Sequence, residues 1–301
     1  MKMRTVLITV VAVSVVASAC SGPIVDDRPT VVATTTILGD IVREIVGDEL
    51  NVQVLMPAGA DPHDFSASAG QVAQMESAVL VVANGLGLEE GLSSVLDVVE
   101  ADGVPLLRIG DVVVPRLFEN GEPDPHIWLD PERMAAATRA IADRLASVDD
   151  ALSPGEWASR GDAYATRILE TEAEMARRFD QIDPDRRKLV TSHMAFGYLA
   201  ARFGFEIIGV VVPGGSTLGE SSAAALGALA ETVIKEGVPA VFAETTVSPR
   251  LSETLAAETG REVKVVTLYT GSLGAPGSGA DSYLGLLLTD AQRIVDALKD
   301  G

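Results

Sequence analysis

Three histidines are the residues whose type and setting point most directly to chemistry, and they are the only three in the 301-residue chain. His63 stands in Gly59-Ala60-Asp61-Pro62-His63-Asp64-Phe65, after an apolar run ending at Met56. His126 stands in Asp124-Pro125-His126-Ile127-Trp128-Leu129-Asp130-Pro131, and His193 follows a second apolar run in Thr191-Ser192-His193-Met194. Imidazole is a natural ligand for borderline cations such as Zn²⁺, and three imidazoles with one carboxylate make a tetrahedral shell. The gaps of 63 and 67 residues match no local zinc motif, so these side chains meet only if the fold brings them together. Read singly, each is equally an ordinary loop histidine. Glu244, at the end of the run Ala240 to Ala243, is either a carboxylate that holds a histidine tautomer or simply the polar end of a strand.

The elements that must position these residues follow from the apolar pattern. Val31 to Thr35, Val52 to Met56, Val79 to Ala83 and Leu106 to Ile109 read as strands, with helical periodicity at Ile37 to Val46 and Ala69 to Ser77. A second series follows: strands at Lys188 to Thr191, Glu206 to Val212, Ala240 to Ala243 and Glu262 to Val266. Helices are expected near Gly197 to Arg202, Ser222 to Lys235, Pro249 to Thr259 and Tyr283 to Leu298. Continuous apolar strands alternating with helices predict buried parallel sheets. The fold class is therefore α/β with two lobes, each a mostly parallel sheet flanked by helices. Between the lobes, Pro131 to Ala146 and Pro154 to Ile182 read as helices. The second is roughly 40 Å long at about 1.5 Å per residue and serves as a rigid connector. The expected organisation is a signal peptide at 1–19, a tether at 20–30, an N-terminal lobe at 31–150, the connecting helix at 151–183 and a C-terminal lobe at 184–301. In both lobes the histidines fall at strand ends or in loops, where open α/β sheets place ligands.

The N-terminus carries Lys2 and Arg4 and then an apolar run from Val6 to Val16, too short to cross a hydrocarbon layer of about 30 Å. Ala17-Ser18-Ala19 leads into Cys20, the single cysteine, so internal disulfides are excluded. The pattern resembles a bacterial lipobox, with Ala17 where Leu is commoner, and implies lipidation at Cys20 and export. Loss of Lys2 and Arg4 takes the formal charge from −20 to −22. Such a surface disfavours nucleic acid and anionic membrane and attracts cations weakly at long range.

Several motifs together carry a resemblance: Thr36-Ile37-Leu38-Gly39-Asp40, Gly59-Ala60-Asp61-Pro62-His63, Asn84-Gly85-Leu86-Gly87-Leu88-Glu89, the Asp124 to Pro131 run, His193 to Leu199, and Val241-Phe242-Ala243-Glu244. In this order they resemble the substrate-binding lipoproteins of zinc and manganese ABC importers, the TroA-like group, over nearly the whole mature chain. The resemblance implies two α/β lobes joined by one long helix, with a metal in the cleft. By it, His63 and His126 are the N-lobe ligands, His193 is the third, and Asp281, before the last helix, is the fourth. Asp281 also suits a helix N-cap.

The implied substrate is Zn²⁺, with Mn²⁺ possible, since three imidazoles and one carboxylate favour the softer ion. The implied partners are a cognate ABC importer permease and the membrane, through the lipid anchor. The chain is expected to be a monomer and not an enzyme, held on the extracytoplasmic face of the membrane or in the periplasm. Two departures stand out. Phe118-Glu119-Asn120-Gly121-Glu122-Pro123 is short and lacks the histidines that many zinc members carry before the second ligand. Glu220-Ser221-Ser222 replaces the usual Glu-Pro-Ser at a helix start. The rival reading is a zinc hydrolase, with three histidines, an open water position and Glu244 as base. A surface adhesin, a role also attached to this group, has no motif in its favour.

Overall fold

The computed structural model describes residues 27–299. The signal segment, Cys20 and most of the tether lie outside the described residues. No helix among those described is long and apolar enough to cross a membrane. Two four-stranded sheets form, and every pairing in them is parallel. The first contains β1 (Thr30–Ala33), β2 (Asn51–Val54), β3 (Leu80–Ala83) and β4 (Leu106–Arg108), in the order β2-β1-β3-β4. The second contains β5 (Lys188–Thr191), β6 (Glu206–Val210), β7 (Ala240–Glu244) and β8 (Lys264–Leu268), in the order β6-β5-β7-β8.

The helices are α1 (Thr36–Val46), α2 (Ala69–Glu76), α3 (Ser93–Ala101), α4 (Pro131–Val148), α5 (Pro154–Phe179), α6 (Gly197–Phe203), α7 (Ala223–Glu236), α8 (Arg250–Glu258) and α9 (Tyr283–Leu298). Sequence pattern anticipates all of these but α3. No side chain caps the start of α3, which continues directly from a 3-10 turn at Glu90–Leu92, so its boundary has no local signal.

Alternation along the strands explains the layering. Val31, Ala33, Leu80 and Val82 face one core, whereas Val32, Val81 and Ala83 face another. In the second sheet Leu189, Ala240 and Phe242 join the first core, while Val190 and Val241 face a third. The inner faces of both sheets thus share one continuous apolar core with α1, α4, α5, α6 and α9. The lobes are layers packed on a common interior, not independent globules.

Helix α5 runs through that interior. A capping box starts it, Ser153 accepting from the Glu156 N–H and Glu156 accepting in return, with Pro154 in the first turn. Arg160 donates to the carbonyls of Ile45 and Val46 at the end of α1, and Arg178 donates to the Leu288 carbonyl on α9. The helix is therefore tied to both lobes. Gly161 on α5 lies so close to α4 that a Cβ there would stand 2.6 Å from the Ala142 Cβ. Gly161→Val is expected to destabilise the fold by about 1–3 kcal/mol through overpacking, read as a lower urea midpoint with an unchanged slope.

Candidate metal centre

The three histidines sit beyond the carboxyl ends of the strands. His63 lies in the loop after β2, His126 in the loop between β4 and α4, and His193 two residues after β5. The two Asp-Pro-His segments fold alike. Asp61 Oδ1 accepts from the His63 N–H at 3.0 Å, and Asp124 Oδ1 accepts from the His126 N–H at 3.0 Å. These are Asx-type turns, in which an aspartate caps the backbone two residues on. The proline between fixes its own φ, so each ring leaves a constrained loop.

The second loop is pinned from the other lobe. Tyr198 on α6 donates to the Asp124 carbonyl at 2.8 Å, and Tyr283 on α9 donates to the Trp128 carbonyl at 2.7 Å. Trp128 is buried and stands edge-on to His126, with ring centroids 5.4 Å apart, while Phe196 is wholly core.

The fold brings the three rings together. His126 Nε2 lies 3.4 Å from His63 Nε2 and 3.1 Å from His193 Nε2, and all three residues are buried. A tetrahedral ion bound at about 2.0–2.1 Å would space its nitrogens about 3.3 Å apart, which these two distances bracket. Among the described residues, these three form the one group of His, Cys, Asp or Glu whose ligand atoms all lie within 4.8 Å of one another. The space they enclose is about 10 Å³, room for an ion or about one water.

The opposite ring edges meet carboxylates. Asp124 Oδ1 faces His126 Nδ1 at 2.8 Å, and Glu244 Oε1 faces His193 Nδ1 at 2.5 Å. Each carboxylate holds the proton on Nδ1 and leaves the Nε2 lone pair facing inward. Glu244 is fully engaged, since the hydroxyls of Ser192 and Thr270 also donate to it. Asp61, on the site wall, accepts from the Thr217 hydroxyl across the cleft at 2.6 Å. Of these acids only Glu244 is anticipated from sequence. Asp124 was signalled by its place in Asp-Pro-His, a pattern shared with Asp61.

Asp281 is not brought to the histidines, which corrects the expectation of a fourth ligand there. It is exposed, its Oδ2 accepts from the Gly277 N–H at 2.8 Å, and it lines a separate depression with Arg43 and Leu273. Its carboxylate caps its own glycine-rich loop, and Ser282, not Asp281, is the N-cap of α9. Thr270 and Gly271 line the site instead. At Gly271 a Cβ would stand 2.8 Å from Pro62 Cδ, so a glycine lets the lobes approach there. The rings thus come two from the N-lobe and one from the C-lobe, rather than two groups from each. Asp281→Asn is expected to leave Zn²⁺ affinity within about twofold of wild type by calorimetry.

Electrostatics favour neutral rings at two positions. Burial lowers the pKa of His126 well below the usual histidine value, and the neighbouring His193 and His63 lower it further. His63 is lowered by burial and then by His193. For His193 burial also acts downward, but the charge and hydrogen bond of Glu244 outweigh it and raise the pKa. Burial pushes Asp124 up to about 7, whereas His193, Ser192 and Thr270 hold Glu244 down at about 2 despite its burial. A cation must displace the proton from His193. Affinity is therefore expected to be full above the raised His193 pKa and to fall about tenfold per pH unit below it. Chelator competition between pH 8 and pH 5.5 checks this.

Fold and site together define a two-lobed α/β solute-binding protein with three imidazoles between its lobes that could hold a metal ion. The chain belongs to the family described as zinc-uptake complex component A, periplasmic, whose profile matches residues 31–297. It is 30% identical over 282 residues to the zinc-binding protein TroA of Treponema pallidum, covering 91% of this chain and 90% of that one. It is 25% identical over 269 residues to the manganese-binding lipoprotein MntA of Halalkalibacterium halodurans, covering 89% and 88%. The solved structure of the Treponema pallidum protein superposes with a TM-score of 0.84 at 28% identity, covering 90% of this chain and 99% of that one. A manganese-bound periplasmic metal-binding protein from Candidatus Liberibacter asiaticus gives a TM-score of 0.78 at 25% identity, covering 89% and 99%.

Proposed function

We propose that this chain is the extracytoplasmic receptor of an ABC importer, capturing Zn²⁺ between its lobes and delivering it to a membrane permease. The observation that carries this reading is the convergence of three buried imidazoles whose ligand atoms lie within 4.8 Å of one another, His126 Nε2 standing 3.4 and 3.1 Å from the other two and two of the rings backed by carboxylates. Zinc is favoured over manganese because all three converging groups are imidazoles, whereas manganese prefers oxygen ligands. Glu244, held ionised on the His193 ring, offsets part of the charge of the ion from one bond further out.

Cys20 would carry the lipid that holds the receptor at the membrane as a monomer. His63, His126 and His193 serve as ligands, and Glu244 and Asp124 orient the rings.

The hydrolase alternative finds no support. Glu244, the base that reading needs, is buried with its carboxylate committed to the His193 ring and the Ser192 and Thr270 hydroxyls.

The test is metal titration of the purified, chelator-stripped chain. The expected result is one tightly bound Zn²⁺ per chain that displaces Mn²⁺. Stoichiometric binding of neither ion would overturn the reading. In cells, a deletion strain is expected to recover on added zinc rather than manganese.

A further inference from the structure

The three histidines do not meet their carboxylates equally. Asp124 and Glu244 are buried and close on their rings. The Nδ1 of His63 is buried with no hydrogen-bond partner, and the group facing it is Glu90 Oε1 at 3.4 Å, on a side chain 42% exposed. An unpartnered polar atom at such depth is uncommon and calls for a partner that arrives.

Glu90 opens the 3-10 turn Glu90–Leu92, and with His63 it lines an interlobe cavity of about 690 Å³. Glu119 and Glu122 stand on the same cavity wall, presented by a tight hairpin in which the Phe118 N–H donates to the Glu122 carbonyl at 2.8 Å. Met194 and Gly214 to Ser216 form the facing wall. His63 is the residue common to this cavity and to the small space between the three rings. The exposed acids and the residue that carries the unpartnered nitrogen thus line one cavity, which meets the site at His63.

We propose that this cavity is the cation's path inward and that Glu90 is its transfer ligand. A hydrated divalent cation exchanges water for the Glu90 carboxylate, then exchanges that carboxylate for the Nε2 atoms. Glu90, released, accepts from His63 Nδ1–H and completes the third carboxylate–imidazole pair. No electron moves, and only water and carboxylate leave the ion. The step rests on the metal-capture reading above.

Stopped-flow uptake of Zn²⁺ from a fluorescent chelator by the full mature chain tests it. Glu90→Gln keeps an acceptor for His63 but loses the charge, so association is expected to slow about tenfold with little change in dissociation. Glu90→Ala loses both and is expected also to release the ion faster. Glu231→Gln, an exposed acid on α7 away from the cavity, is expected to match wild type. An unchanged association rate in Glu90→Gln, or equal slowing in Glu231→Gln, overturns the transfer step while leaving metal capture standing. A wild-type chain that takes up no Zn²⁺ overturns both.

Discussion

Replacement of His126 by alanine is expected to lower Zn²⁺ affinity by more than about 100-fold, beyond the 10–100-fold typical of removing a ligand's supporting group. His126 is the middle member of the set, with its Nε2 within 3.4 Å of both other rings. Without it only two imidazole nitrogens remain, one from each lobe, and two ligands hold an ion far less tightly than three. Asp124 also loses its ring partner, though it keeps the backbone N–H of residue 126. The loss should be confined to binding. Three inward-facing lone pairs contribute little to folding without an ion, so the metal-free variant should melt close to wild type. Chelator competition reads the affinity, and circular dichroism reads the melting of the same samples. Wild-type affinity in this variant would remove His126 from the site.

Glu244→Gln is expected to cost about 10–100-fold in affinity, the usual range for a group that orients a metal-binding histidine. Three donors converge on this buried carboxylate: the His193 ring, the Ser192 hydroxyl and the Thr270 hydroxyl. A glutamine offers one oxygen and one NH₂ in their place. If the oxygen keeps the hydroxyls, the NH₂ faces the Nδ1–H and turns the ring or its tautomer away. If the oxygen keeps the ring, the hydroxyls must rotate. Either way His193 is less firmly held, and loss of the charge lowers its pKa. The affinity of the variant should therefore depend less on pH between 8 and 6 than that of wild type. Unchanged affinity with an unchanged pH profile would make Glu244 no more than a polar strand end.

Much of the architecture was legible because parallel strands buried on both faces leave continuous apolar runs, as in Leu80–Ala83 and in Ala240 to Ala243. The long helix was legible from Ser153-Pro154 and Glu156 at its start. Its C-terminal limit was read three residues late, at Ile182 instead of Phe179. The histidines were conspicuous for their rarity and for Asp-Pro-His. Their meeting was not legible from spacing, because it depends on strand orders that bring loops 63 and 67 residues apart to one point.

Asp281 shows the limit most clearly. Residues 270 to 282 form a loop rich in glycine and serine, and no periodicity there says which position points into the cleft. Thr270 and Gly271 do, whereas Asp281 turns back to its own backbone. Glu90 was equally hidden. Beside Glu89, which is buried and accepts from Thr34, Asn84 and Gly85, it reads as an ordinary surface acid.

The most direct test of the central claim is an anomalous difference map collected at the zinc edge from crystals of the Zn²⁺-loaded chain. One strong peak is predicted between the lobes, about 2.0–2.1 Å from the Nε2 atoms of His63, His126 and His193. A peak bonded to fewer than two of these rings, or one lying beside Asp281 instead, would contradict the account.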